Sequence, residues 1–137
     1  MIYLASPYSH DDPAVRYHRF CLACHAAARL IQDGPAAFSP IAHSHPIAGA
    51  GKLPPCDLDL WMRIDAKILP ICDSMKILAI DGWRQSKEIL AEIRLAVQHG
   101  IPISLMWLGS CNRRRREADN AFLDTCIMLA GDVHVAA

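Results

Sequence analysis

The 137-residue chain has no charge imbalance: 14 Lys and Arg are matched by 14 Asp and Glu, for a formal net charge of zero. No global field draws it to nucleic acid or to an anionic membrane surface, and neither partner is expected. It has no apolar run near the roughly 18 residues that span a bilayer. Its opening residues, MIYLASPYSH, lack the basic start and long apolar stretch of a secretory signal, so a cytoplasmic protein is expected. A Walker-type loop and a G-x-G-x-x-G turn are both missing, which leaves triphosphate or dinucleotide binding of those kinds unsupported. Internal repeats are absent, and RRRR at 113–116 is the one low-complexity run.

Cysteine, by contrast, occurs six times, at Cys21, Cys24, Cys56, Cys72, Cys111 and Cys126. The nearest approach to a metal motif is CLACH, where Cys21, Cys24 and His25 share helical spacing. No second C-x-x-C completes a tetrahedral set. Tyr17, Cys21, Cys24, Ala27, Ala28 and Ile31 fall on one stripe of the same helix, as small buried hydrophobes do. Neither a metal nor a cofactor is expected, and disulfides do not suit a cytosolic chain. With 53% hydrophobic and 20% charged residues, the length suits one compact domain with a real core.

Apolar runs alternate with amphipathic stretches. MIYLA (1–5) reads as a buried strand. A long periodic stretch follows, with Pro13 near its first turn and Gly34 as its stop, and reads as a helix. PAAFSPIA holds a weaker strand ending near Ser39 and Pro40. HSHPIAGAGKLPP, rich in Gly and Pro, reads as a loop. DLDLWMRIDAKILPICD reads as a helix ending early or kinked at Pro70. MKILAI (75–80) is a strand, DGWRQ a turn, 86–98 a helix, 102–107 a strand and Glu117 to Leu129 a last helix. This rhythm implies an α/β domain, with parallel strands and crossover helices on both faces. In such sheets ligands bind outside the carboxyl ends of the strands. The segments there are SPYS with Ser6 and Pro7, SPIAHSH with His43 and His45, and DGWRQS with Asp81 and Ser86.

Two acids stand out. With Trp61 placed at 0° on a helical wheel, Asp65 falls at about 40°, inside the apolar arc formed with Leu60, Ile64, Ile68, Ile71, Leu69 and Cys72. A carboxylate there is costly unless it is bonded, paired or facing a cavity. Glu92 lies about 60° from Ile89, on the shoulder of the stripe Ile89, Ile93, Ala96 and Val97. Both helices flank the third strand, so the two acids can reach one cleft and divide nucleophile and acid roles, as in glycosidic bond cleavage. Ser86 caps its helix, and a helix start of that kind can also hold an anion. Tyr3 packs in the first strand with a hydroxyl to satisfy. RRRR reads as a solvated loop, since positive charge is disfavoured at a helix N-terminus. Ala91 and Leu95 lie away from the main stripe of 86–98 and form a candidate subunit contact if nothing within the domain covers them.

With these residues in view, the chain resembles the nucleoside 2-deoxyribosyltransferase superfamily, particularly small bacterial and phage members that begin IYLASPYS and contain FSPIAHSHPIA. The similarity runs from Met1 to about Ser104, and the tail, 108–137, matches poorly. The resemblance implies a single-domain flavodoxin-like (Rossmann-like) sheet and a homo-oligomer. It also implies cleavage or transfer at the N-glycosidic bond of a nucleoside or nucleoside monophosphate, through a glutamate nucleophile. The family's strand-one tyrosine, which hydrogen-bonds the nucleophile, matches Tyr3. Its helix aspartate, eight residues before the Asp that opens the third strand, matches Asp65 before Asp73. Its nucleophile, six residues beyond the capping serine, matches Glu92 beyond Ser86. Where the family usually has glycine, two residues after that serine, this chain has Glu88, which adds bulk and negative charge where a 5′-phosphate would bind. The alternatives are a nucleoside- or nucleotide-binding module of the same fold without turnover, and a pair of acids that only staple the core.

Overall fold

The first strand organises the molecule. The computed structural model, which describes residues 1–136, places β1 (Ile2–Ala5) between two parallel neighbours. One is β2 (Ala37–Phe38), with Ile2 opposite Ala37 and Tyr3 opposite Phe38. The other is β3 (Ser74–Leu78), in register from Ile2 opposite Ser74 to Ala5 opposite Ile77. β4 (Ile103–Met106) pairs with β3 and completes the order β2-β1-β3-β4, all parallel. This is the parallel α/β sheet expected of the strand–helix rhythm, and Rossmann-like as the resemblance implied. The chain leaves β1 toward β2 but leaves β3 toward β4, so the topology reverses between β1 and β3. Such a reversal opens a crevice at the carboxyl ends of the two central strands.

Alternation along the strands assigns the two faces. Leu4 and Leu78 point toward α1 (Pro13–Gln32) and pack with its Ala26 and Leu30. Tyr3, Ala5, Met75 and Ile77 point the other way. They pack with Ile89, Ile93 and Ala96 of α4 (Lys87–Gln98) and Leu123 of α5 (Arg113–Ala136). Strands buried on both faces read as continuous apolar runs, which is how the central strands were legible. At the start of α1, Asp12 caps Ala14 N–H through its side chain and Pro13 takes the first helical position. Gly34, with φ +115°, makes the turn out of it in a conformation that side chains disfavour.

Several expectations are corrected. HSHPIAGAGKLPP is a loop only from Lys52 to Pro55: Pro40–Gly51 forms a helix, α2. Ser39 caps it by accepting from Ala42 N–H, Pro40 is pre-set for the first turn, and packing against α1 offsets the hydrogen bond that Pro46 cannot make. RRRR is not a loop either, because α5 begins at Arg113. Asn112 accepts from Arg115 N–H, and carboxylates one turn on take the charge, Arg113 to Glu117 at 2.6 Å and Arg115 to Asp119 at 3.8 Å. α5 packs along α4, so Leu95 joins the core and Ala91 is half-buried; the proposed free face is largely covered. On α1 the buried residues are Ala23, Ala26 and Leu30, while Tyr17 and Ile31 of the expected stripe are exposed. Small apolar residues run almost all round that helix, so its period did not select a face. α3 (Leu58–Ile68) ends, as Pro70 suggests, in a 3-10 turn over Leu69–Ile71. It buries no residue fully, and Ile64 and Ile71 of its apolar arc face solvent. Among the described residues, no helix is long and apolar enough to cross a membrane.

One buried acid, unmarked by the sequence pattern, ties the C-terminal helix to the sheet. Asp119, 2% exposed, accepts from Trp83 Nε1 at 3.2 Å, Arg84 NH2 at 2.6 Å and Trp107 Nε1 at 2.9 Å. Burial alone would raise its pKa, but the bonds from Trp107, Arg84 and Trp83 outweigh it and hold the carboxyl below its ordinary value. Asp119→Ala leaves two indole N–H groups and a guanidinium without their acceptor. It should cost on the order of 3 kcal/mol in urea unfolding, and a loss below about 1 kcal/mol would show that α5 is held by apolar packing alone.

Candidate active site

The crevice at the β1–β3 reversal is built from four elements. β1 supplies Tyr3, and the chain leaving it supplies Ser6 and Tyr8. α2 supplies Ser44, α3 supplies Trp61, Met62 and Asp65, and α4 supplies Glu88 and Glu92. Glu92 sits on the same buried face of α4 as Ile89, Ile93 and Ala96 and is only 4% exposed. Tyr3, fully buried, donates its hydroxyl to Glu92 Oε1 at 2.8 Å. Among the described residues, Glu92 Oε2 and Ser6 Oγ are the buried side-chain oxygens without a hydrogen-bond partner. A buried oxygen left unpaired costs about 1–3 kcal/mol. Two of them at one cavity mark a place arranged for something other than stability.

The electrostatics follow from burial. Burial pushes the Glu92 carboxyl well above its ordinary value; the Tyr3 hydrogen bond pulls the other way, and the charges of Asp65 and Glu88 add to the rise. Asp65 is pushed up to about 7, again by burial. The Tyr3 phenol is raised by burial and then by Glu92, so it remains a donor. The pocket thus holds two carboxyl groups, one on each side of it, whose ionisation burial opposes and an entering positive charge would favour.

The inner cavity between them is small, about 30 Å³, and shares Cys56, Leu58 and Glu88 as walls with an outer groove of about 530 Å³. Ser9, Arg19, Gln85 and Lys87 line that groove. A ligand of nucleoside size would lie in the groove and reach inward. α3, with no fully buried residue, is the wall that can give way. A further cleft of about 450 Å³ lies between α1 and the ends of β3 and β4, away from the carboxyl pair.

The structure brings together Tyr3, Asp65, Glu92 and Ser6, and sets the other sequence candidates apart. Pro7 is buried beside them as packing. Ser86 caps α4 through Ile89 N–H and donates to Glu88 Oε2 at 3.0 Å, on the outer groove. Asp81 lines the α1-side cleft, fully exposed and 3.7 Å from Arg115. His43 lies against Phe38. His45 stands behind the cavity, stacked on Phe20 and 2.6 Å from the Tyr8 hydroxyl, and so positions Tyr8. Burial and then Arg16 hold the His45 pKa below its ordinary value. Trp61, Met62, Tyr8 and Ser44 went unselected as site residues. The signal for Trp61 was present, one helical turn before Asp65; Ser44 was hidden by the reading of α2 as a loop. Among the described residues the six cysteines are free, and no three His, Cys, Asp or Glu side chains are grouped to hold a metal.

A family model described as a domain of unknown function (DUF1937) matches residues 1–108. The match ends just past β4, so α5 lies outside it. A comparison with curated proteins finds no match.

The Asp65 carboxyl stays neutral in the folded protein over a range where the unfolded chain ionises. The stability this contributes is complete below about pH 4 and is lost as pH rises toward about 7. Asp65→Asn is neutral throughout, so its melting temperature should gain on that of the natural chain by about 3 °C or more between pH 4 and pH 8. Melting curves that stay parallel would show that Asp65 titrates normally.

Proposed function

We propose that this chain, which belongs to the family of the domain of unknown function DUF1937, cleaves or transfers at the N-glycosidic bond of a nucleoside through Glu92. The reading is carried by one observation: Glu92 is sealed in the core, bonded by Tyr3 at one oxygen and free at the other, beside an Asp65 carboxyl titrating near neutrality. The resemblance to nucleoside 2-deoxyribosyltransferases selects the same three side chains.

The chemistry proceeds from these positions. The Tyr3 hydroxyl orients the carboxylate, leaving Oε2 to attack C1′ of the sugar. The C1′–N bond breaks toward the base, and the neutral Asp65 carboxyl protonates or restrains that base as it leaves. The positive charge that develops on the sugar lies next to carboxylates in a low-dielectric pocket. Water, or a second base, then displaces Glu92 from C1′, with Asp65 taking back a proton. Exclusion of water decides between hydrolysis and transfer. A cytoplasmic homo-oligomer belongs to the same reading. Ile64 and Ile71 near α3 and Leu90 on α4 are apolar surface that a second copy would cover. A monomer by light scattering would remove that part.

The test is release of free base from ribo- and deoxyribonucleosides and their 5′-monophosphates, with and without a second base. Glu92→Ala should lower the rate by about a thousandfold or more, and Tyr3→Phe by about tenfold to a hundredfold through loss of one hydrogen bond to the nucleophile. Dependence on the added base identifies a transferase. Binding without release from any compound would favour the alternative, a nucleoside-binding module, for which Glu88 at the pocket rim is the supporting residue.

A further inference from the structure

The inner cavity has a charge pattern that glycosidic cleavage in general does not require. Its walls include four acids, Asp57, Asp65, Glu88 and Glu92, and no Lys, Arg or His; His10, Arg19 and Lys87 lie outside it on the groove, with Arg19 taken up by the Ser9 carbonyl. Trp61 and Tyr8 line the same space, and aromatic rings beside carboxylates form the surroundings that a cation prefers. The unpartnered oxygens of Glu92 and Ser6 lie in the same place. Glu88 closes the outer side. Its carboxylate accepts from Ser9 Oγ and from Ser86 Oγ, so the hydroxyl at the start of α4 and that of the chain leaving β1 already serve an anion of the chain's own. A phosphate would meet that negative charge where a helix start otherwise receives it.

We propose that the pocket selects its ligand by charge, taking an N-glycoside whose departing base is cationic, a pyridinium or another quaternised ring nitrogen, on a sugar that carries no phosphate. This rests on the reading of the pocket as an N-glycosidic site. A neutral base needs a proton to leave, whereas a cationic base leaves without one. The C1′–N bond breaks with its electron pair going to the ring nitrogen, which becomes neutral, and a Glu92 oxygen forms the new bond to C1′. Water then displaces Glu92, giving the free sugar, the regenerated carboxylate and one proton released to solvent. The single positive charge moves from ring to sugar at the mouth of this acidic cavity, while Glu88 sets the charge limit at the rim.

The test is a binding series on one scaffold: an N-ribosylpyridinium with a 3-carboxamide, its uncharged 1,4-dihydro form, and the 5′-phosphate of the pyridinium. Calorimetry on the natural chain, and on Glu92→Gln to suppress turnover, gives the three dissociation constants. The cation should bind about tenfold or more tightly than the dihydro form, and the phosphate more weakly than either. Glu88→Gln and Glu88→Ala should each narrow both gaps by about threefold or more. Equal binding of cation and neutral form, tightest binding of the phosphate, no response to the Glu88 variants, or no binding of any of the three would each overturn the proposal. Glu92-dependent base release from neutral nucleosides together with charge-blind binding would remove this inference alone. Charge-ordered binding with no base release from any compound would remove the glycosidic reading and leave the charge selection standing.

Discussion

The Tyr3 hydroxyl and the Glu92 carboxylate meet inside the core at 2.8 Å, and the arrangement of the fold follows from bringing them there. Tyr3 is on the innermost face of a central strand, and Glu92 replaces an apolar residue on the face of α4 that covers it. The apolar residues around them, Ile89, Ile93, Met75 and Ile77, exclude water from both groups. Exclusion raises the energy of the ionised carboxylate and makes the single bond from Tyr3 matter more than it would in solvent. Stability alone would favour a leucine at position 92.

A second buried acid supplies the contrast. Asp119 is as inaccessible to solvent as Glu92 but less deeply enclosed, and two indole N–H groups and a guanidinium satisfy it, so its pKa falls rather than rises. Glu92 has one donor, an idle oxygen and a pKa driven up. The difference separates a carboxylate that holds structure together from one that is kept available. Asp119 fastens α5 to the segments following β3 and β4, and so keeps α4 pressed against the sheet from behind.

The rim of the crevice depends on backbone conformation as well. Gly82 has φ +91°, and a Cβ there would lie 2.4 Å from the Arg19 guanidinium. Arg19 itself donates to the carbonyl of Ser9, at 2.9 Å, and lines the outer groove. The φ of +91° is what calls for glycine in the turn after β3; the Arg19 guanidinium, at the end of a flexible side chain, fills the space this leaves beside the chain leaving β1.

Local pattern was enough for the strands, for α1, α3 and α4, and for the two acids. Period and burial are linked within a single element, and a carboxylate off its expected face is visible without any partner. Pattern failed where stabilisation comes from elsewhere. α2 holds together through a Ser39 cap and contact with α1 despite Pro46, and α5 starts four residues early because Glu117 and Asp119 answer its arginines. By itself, then, the sequence determined a parallel α/β sheet and two suspect carboxyl groups, because alternation and helical period are properties of neighbouring residues. Only the tertiary structure decided that Tyr3 reaches Glu92 and that Asp81 and the histidines stay out of the inner cavity. It also decided that Asp119 is satisfied while Glu92 is not. Those outcomes depend on which groups from distant segments arrive at hydrogen-bonding distance, and that is set by how the layers pack.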